Sequence, residues 1–185
     1  DNKVPHCLLF TGASGSGKTT LARILQKKLN CSDMDFFEIN GADNRGIDSI
    51  REIKQRIGMA PIQGKCRIWY IDEVHKQTSD AMTAALKLFE DTPSHIYFIL
   101  ATTDPQKLLK TIITRATEIK LKLLSNDDIK QVIKSILEKE NKTVTDNVID
   151  RIAEISEGSA RKALVVLHQV LGLDKEEDQL NAVLS

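Results

Sequence analysis

Between residues 12 and 19 the chain reads Gly12-Ala13-Ser14-Gly15-Ser16-Gly17-Lys18-Thr19, a G-x-x-x-x-G-K-[ST] spacing that runs on through Thr20 into a helical pattern. Glycines let successive backbone N–H groups turn inward around phosphate oxygens, and a helix opening near Lys18 adds the positive end of its dipole. The predicted chemistry is capture of a nucleotide's phosphates. Lys18 would reach the β- and γ-phosphates, and the Thr19 hydroxyl would take a place on Mg²⁺. A glycine-rich turn without a ligand is the rival reading. It is disfavoured by the strand pattern Cys7-Leu8-Leu9-Phe10 just before the segment and the helix pattern just after it.

A phosphate loop alone does not imply hydrolysis. The second signal is Ile68-Trp69-Tyr70-Ile71-Asp72-Glu73, an apolar run ending in two acids. At the carboxyl end of a strand, Asp72 can hold the Mg²⁺ water shell near Thr19, and Glu73 can polarise a water for in-line attack on the γ-phosphate. Acids in that place also cap helices, which is the bland alternative. Both segments together favour ATP hydrolysis. A small-molecule kinase would need an acceptor site, and none is legible.

Positioning these groups requires a sheet. Short apolar runs at residues 7–10, 36–39, 67–71, 96–101 and 118–121 alternate with helical patterns through about residue 124. Nearly continuous apolar runs suit parallel strands covered on both faces, so all five are expected to be buried in that way. The intervening helices are marked by Leu21, Ile24, Leu25 and Leu29, by Ile50, Ile53 and Ile57, and by Met82, Ala85, Leu86 and Phe89. After residue 124 the pattern is helical only. A helix over Ile129–Leu137 opens on Ser125-x-x-Asp128, a capping-box spacing; a second follows Thr145; a third carries Ala163, Leu164, Leu167 and Val170. The expected architecture is α/β: a P-loop NTPase parallel sheet flanked by helices over residues 1–124, then a small all-α helical domain over 125–185.

The 185 residues hold 26 Lys+Arg and 26 Asp+Glu, 28% charged and 41% hydrophobic, which excludes a disordered chain. Zero net charge excludes only a uniformly basic nucleic-acid binder. Divided at residue 124, the first part carries 18 basic and 14 acidic residues and the second 8 and 12, a net of +4 against −4. Cys7, Cys31 and Cys66 lack the spacing of a zinc or disulfide framework. No apolar run is long enough for a membrane span and no signal peptide is legible, so a soluble, cytoplasmic protein without membrane contact is expected.

Read in order, Thr11-Gly12 to Thr19, Ile71-Asp72-Glu73-Val74-His75, Leu100-Ala101-Thr102-Thr103-Asp104-Pro105-Gln106-Lys107-Leu108, Thr114-Arg115-Ala116 and Gly158-Ser159-Ala160-Arg161-Lys162-Ala163-Leu164 resemble the AAA+ ATPases of the clamp-loader clade. The likeness runs from about His6 to Leu171. It is nearest to the DNA polymerase III gamma/tau family, with the replication factor C small subunits next. The resemblance implies that the helical domain is a lid. It places Thr103 as the sensor that orients the attacking water, although a turn or cap role fits the residue as well. It places Arg115 as a finger acting in trans on a neighbour's ATP, where the alternative is a surface arginine at a helix end. It places Arg161 as the lid's own arginine on the γ-phosphate; a cation in the first turn of a helix is otherwise unfavourable. Sequence-independent contact with DNA is implied for Arg51 and Lys87, and less firmly for Arg45 and Lys76, each of which reads equally as a solvated charge.

Departures matter. The family's four-cysteine zinc module is not expected here, since the first helix reaches Phe36-Phe37-Glu38-Ile39-Asn40 within a few residues. The arginine motif Thr114-Arg115-Ala116 keeps the arginine and loses its Ser and Cys flanks. Neither the adenine-holding N-terminal segment nor a collar-forming third domain is expected within these residues. The implied activity is hydrolysis of ATP with Mg²⁺ to load a sliding clamp onto primer-template DNA, in a ring of like or related subunits that is pentameric by resemblance. Rival readings are another AAA+ machine, such as a Holliday-junction branch-migration motor or helicase loader, and a non-hydrolysing scaffold subunit that donates Arg115 in trans.

Overall fold

The computed structural model describes residues 4–173 and 175–184. Five strands, β1 (Cys7–Thr11), β2 (Phe36–Asn40), β3 (Arg67–Asp72), β4 (Ile96–Thr102) and β5 (Thr117–Lys120), form one sheet in the order β2-β3-β4-β1-β5 with every pairing parallel. Helices α1 (Lys18–Lys28), α2 (Ile47–Arg56), α3 (Ser79–Glu90) and the short α4 (Lys110–Ile113) connect them. α5 (Asn126–Glu140), α6 (Asp146–Ile155), α7 (Ala160–Val170) and α8 (Glu176–Leu184) follow.

Strand residues alternate between two apolar layers, as the period of two demands. Leu9, Trp69, Ile71, Phe98 and Leu100 meet Ile50 and Ile53 of α2 and Ala81, Ala85, Leu88 and Phe89 of α3 on one face. Leu8, Phe10, Ile68, Tyr70, Ile99 and Ala101 meet Ala22, Leu21, Leu25 and Leu29 of the α1 region on the other. The three central strands β1, β3 and β4 are therefore buried nearly throughout. The outer two depart from the expectation of cover on both faces: β2 alternates between buried and open positions, and β5 is exposed at all four. Both lie at sheet edges, and an apolar run does not reveal that position. Two helix stripes also need correction, because Ile24 and Leu164 are 47% and 38% exposed.

Contacts divide the chain into two compact units, one of the residues through Gly12 with Lys18–Leu121, the other of Ala13–Gly17 with residues from Lys122 onward. The second unit has its own core, in which Ile129, Ile133, Val148, Ile152, Ala163, Leu167 and Val170 are buried. Ser125 and Asp128 make the reciprocal capping box that opens α5, and α8 extends the helical series beyond the three expected helices. Cys7, Cys31 and Cys66 are free and buried. Among the described residues no helix is long and apolar enough to cross a membrane.

Candidate nucleotide site

In a parallel sheet the strands end on one edge, and register decides which ends are neighbours. Thr11 of β1 pairs with Thr102 of β4, Ile71 of β3 with Leu100 of β4, and Asn40 of β2 with Asp72 of β3. The chain leaves β1 at Gly12, whose N–H donates to Thr102 O at 3.3 Å. It re-enters the first unit at Lys18, the buried first residue of α1, whose Nζ donates to Gly12 O at 2.8 Å. The adjacent Thr19 Oγ1 lies 3.0 Å from the Tyr70 hydroxyl, on the strand that carries the acids.

At the end of β3, Asp72 accepts the Glu73 N–H through Oδ1 at 2.9 Å. Glu73 has left-handed backbone, φ 48° and ψ 42°, which costs a non-glycine residue of order 1 kcal/mol and turns its carboxylate out of the strand direction. That carboxylate receives Thr103 Oγ1–H at 3.3 Å and has His75 Nε2 at 3.4 Å. The His75 side chain is 4% exposed, and its Nδ1 is 2.8 Å from Thr102 Oγ1. A carboxylate only accepts, so a proton shared across the Glu73 contact sits on Nε2. Gly41 closes this edge. A Cβ there would fall 2.6 Å from Glu73 O, so only glycine permits the approach that lets Gly41 N–H bond Asp72 O at 2.8 Å.

Within the second unit, the phosphate-loop segment Ala13–Gly17 bends back on itself through a Ser16 N–H to Ala13 O bond of 3.3 Å and takes positive φ at Gly15 (78°) and Gly17 (92°). Gly15 abuts the start of α7. A Cβ on it would stand 2.0 Å from Oγ of Ser159, the residue that caps α7 by accepting Lys162 N–H at 3.3 Å. Arg161 is exposed in that first helical turn.

The expected site residues thus fall into separate sets. Lys18, Thr19, Asp72, Glu73 and Thr103 gather at the strand ends of the first unit. Ala13, Ser14, Gly15, Ser16 and Gly17 share the second unit with Arg161. Arg115 lies away from the strand-end set: it pairs with Glu90 and donates to Thr111 O at 3.0 Å. Arg51 is exposed on α2 and ion-paired to Asp48 at 2.8 Å; Lys87 is exposed on α3, which packs with α2 on the same sheet face. Arg45 is an exposed loop residue whose carbonyl receives Thr78 N–H at 2.9 Å, and Lys76 is the exposed last residue of the short 3-10 helix Val74–Lys76. Sequence reasoning assigned no part to His75, Tyr70 or Ser159. Tyr70 had one readable signal, a polar group two residues before Asp72 and therefore on the same strand face.

The oxygen donors Thr19 and Asp72 suit Mg²⁺, a hard cation that takes carboxylate and hydroxyl oxygens. Strand order, phosphate loop and acid pair define the class as a P-loop NTPase of the AAA+ fold. Solved structures agree on the fold: the RuvB Holliday junction branch migration motor of Thermotoga maritima superposes with a TM-score of 0.79 over 96% of this chain and 60% of that one, at 20% identity.

The family model described as DNA polymerase III, delta subunit, matches residues 32–125, and the chain belongs to that family. Among individual proteins it is 35% identical to DNA polymerase III subunit gamma of Buchnera aphidicola subsp. Schizaphis graminum over 96% of this chain and 55% of that protein. It is 33% identical to DNA polymerase III subunit tau of Escherichia coli K12 over 91% of this chain and 30% of that protein. The chain thus spans about half of the first relative's length and under a third of the second's.

Proposed function

We propose that this chain is an ATPase subunit that binds and hydrolyses Mg-ATP to load a sliding clamp onto primer-template DNA during replication, working in the cytoplasm in a ring with other clamp-loader subunits, five in all. Residues 1–124 form the ATPase domain and 125–185 its helical lid. The observation that carries this reading is the Glu73 carboxylate held by Thr103 and faced by buried His75, at the strand end next to Asp72.

The backbone N–H groups of Gly12 to Thr19, with Thr20, bind the phosphates of ATP, and Lys18 neutralises their charge. Thr19 and Asp72 hold the metal, which when bound offsets negative charge on the phosphates. Glu73 accepts a hydrogen bond from the attacking water, aligning it, and Thr103 fixes the Glu73 carboxylate. Arg161 reaches the γ-phosphate from the lid, linking lid position to nucleotide state. Arg115 serves the neighbouring subunit's site. Arg51 and Lys87, with Arg45 and Lys76, meet the phosphates of DNA without reading sequence.

The test is ATP turnover by the full assembly with clamp and primed DNA. Glu73→Gln should keep nucleotide binding and abolish turnover; unchanged turnover would remove Glu73 from the chemistry and with it this reading. A second reading, a branch-migration motor, is favoured by the 0.79 TM-score to RuvB. It requires stimulation by four-way junctions and indifference to the clamp.

A further inference from the structure

We infer that Tyr70 is a positioning residue for the metal-binding Thr19, the fully buried phenol holding the partly buried Thr19 hydroxyl at 3.0 Å beneath the phosphate loop's helix. The inference rests on the proposed metal role of Thr19 and Asp72 and extends it to a residue that the phosphate-loop and acid-pair motifs do not contain.

The strand dictates the placement. Tyr70 and Asp72 are two residues apart on β3 and share the face that packs against α1, which begins one residue before Thr19. The Tyr70 ring has no freedom to leave. It is 0% exposed, and Phe36 stacks on it at a centroid distance of 6.2 Å. Arg23 of α1 in turn lies 4.0 Å over the Phe36 ring and bonds Glu38, the residue opposite Tyr70 in the β2–β3 register, at 2.9 Å. A leucine or phenylalanine would fill this layer equally well, whereas a buried phenol oxygen needs partners.

Its hydrogen-bond partner is the Thr19 hydroxyl. Either oxygen can donate across this contact. A hydroxyl serves a cation through its lone pairs, with its proton turned elsewhere. With the Thr19 lone pairs turned to a metal, Tyr70 at 3.0 Å receives that proton, so both lone pairs are left for the cation.

The test uses Tyr70→Phe in the full chain, which deletes one oxygen and preserves the packing, with binding of a fluorescent ADP measured in EDTA and across a Mg²⁺ titration. One lost hydrogen bond should raise the Mg²⁺ concentration for half-maximal effect about fivefold to tenfold, with affinity in EDTA unchanged. A residue that only packs would alter both equally or neither, and either result overturns the inference. In the Thr19→Val background, Tyr70→Phe should add nothing further; additive effects would also overturn it. If Thr19→Val itself leaves the Mg²⁺ requirement unchanged, the metal role of Thr19 fails first and the inference falls with it. If Thr19→Val raises the requirement and Tyr70→Phe does not, Tyr70 alone is excluded.

Discussion

His75 Nε2 stands 3.4 Å from Glu73 Oε2, on an imidazole that is almost wholly buried while the carboxylate is 31% exposed. The ring acts as a fixed post against which an otherwise mobile acid rests, and its other nitrogen is anchored to Thr102 at 2.8 Å. His75→Ala should therefore lower kcat about tenfold to a hundredfold, the scale of misplacing a reacting group by an ångström, with nucleotide affinity held within a factor of two. Single-turnover hydrolysis beside a nucleotide titration separates the two quantities, and equal losses in both would assign His75 to folding alone.

Gly15→Ala should weaken nucleotide binding at least tenfold. The substitution meets two obstacles at once, a φ of 78° and Ser159 Oγ at 2.0 Å from the new carbon. Ser159→Gly in the same chain removes the collision and leaves the backbone strain of roughly 1 kcal/mol, so titration should show partial recovery in the double variant. No recovery would mean that Ser159 does not limit the loop.

Arg115 and Glu90 pair at a site where both side chains are substantially open, at 34% and 46% exposure. Such a pair contributes about 0–1 kcal/mol, little enough for the guanidinium to exchange Glu90 for a phosphate on a neighbour. Arg115→Ala should then reduce turnover of the assembled ring about a thousandfold while leaving the variant's own nucleotide affinity intact. Glu90→Gln should leave thermal stability unchanged. If Arg115→Ala acts only on its own subunit in mixed assemblies, the trans role is wrong.

Asp35 and Arg67 form a buried pair at 3.2 Å, with side-chain exposures of 0% and 5%. Burial pushes the Asp35 carboxyl upward, yet the N–H groups of Ile62 and Gln63, the Ser32 hydroxyl and Arg67 together hold it below its usual 3.8. A depressed folded value means that the charge stabilises the native state above the unfolded-chain value, and that this stability is lost as pH falls through the folded one. Asp35→Asn leaves Arg67 buried and unpaired and should cost about 3–5 kcal/mol in urea unfolding at pH 7. The variant should also lose less further stability than the parent as pH drops below 4.

The sequence alone determined the features whose partners lie within a few residues. The loop Gly12–Thr19 and the box Ser125–Asp128 need only the backbone between them, so their spacing identifies them. The nearly continuous apolar runs likewise specified the buried central strands, because only a sheet covered on both faces hides every residue of such a run. Tertiary structure decided everything that joins distant segments. Tyr70 meets Thr19 across 51 residues and His75 meets Thr102 across 27, and both depend on the order β2-β3-β4-β1-β5, which periodicity does not encode. The same order makes β5 an edge and opens it to solvent, against the reading of its apolar run. Periodicity reports which side of an element is apolar; what that side faces is set by long-range packing, and so the Tyr70–Thr19 contact and the post at His75 appear only in the folded chain.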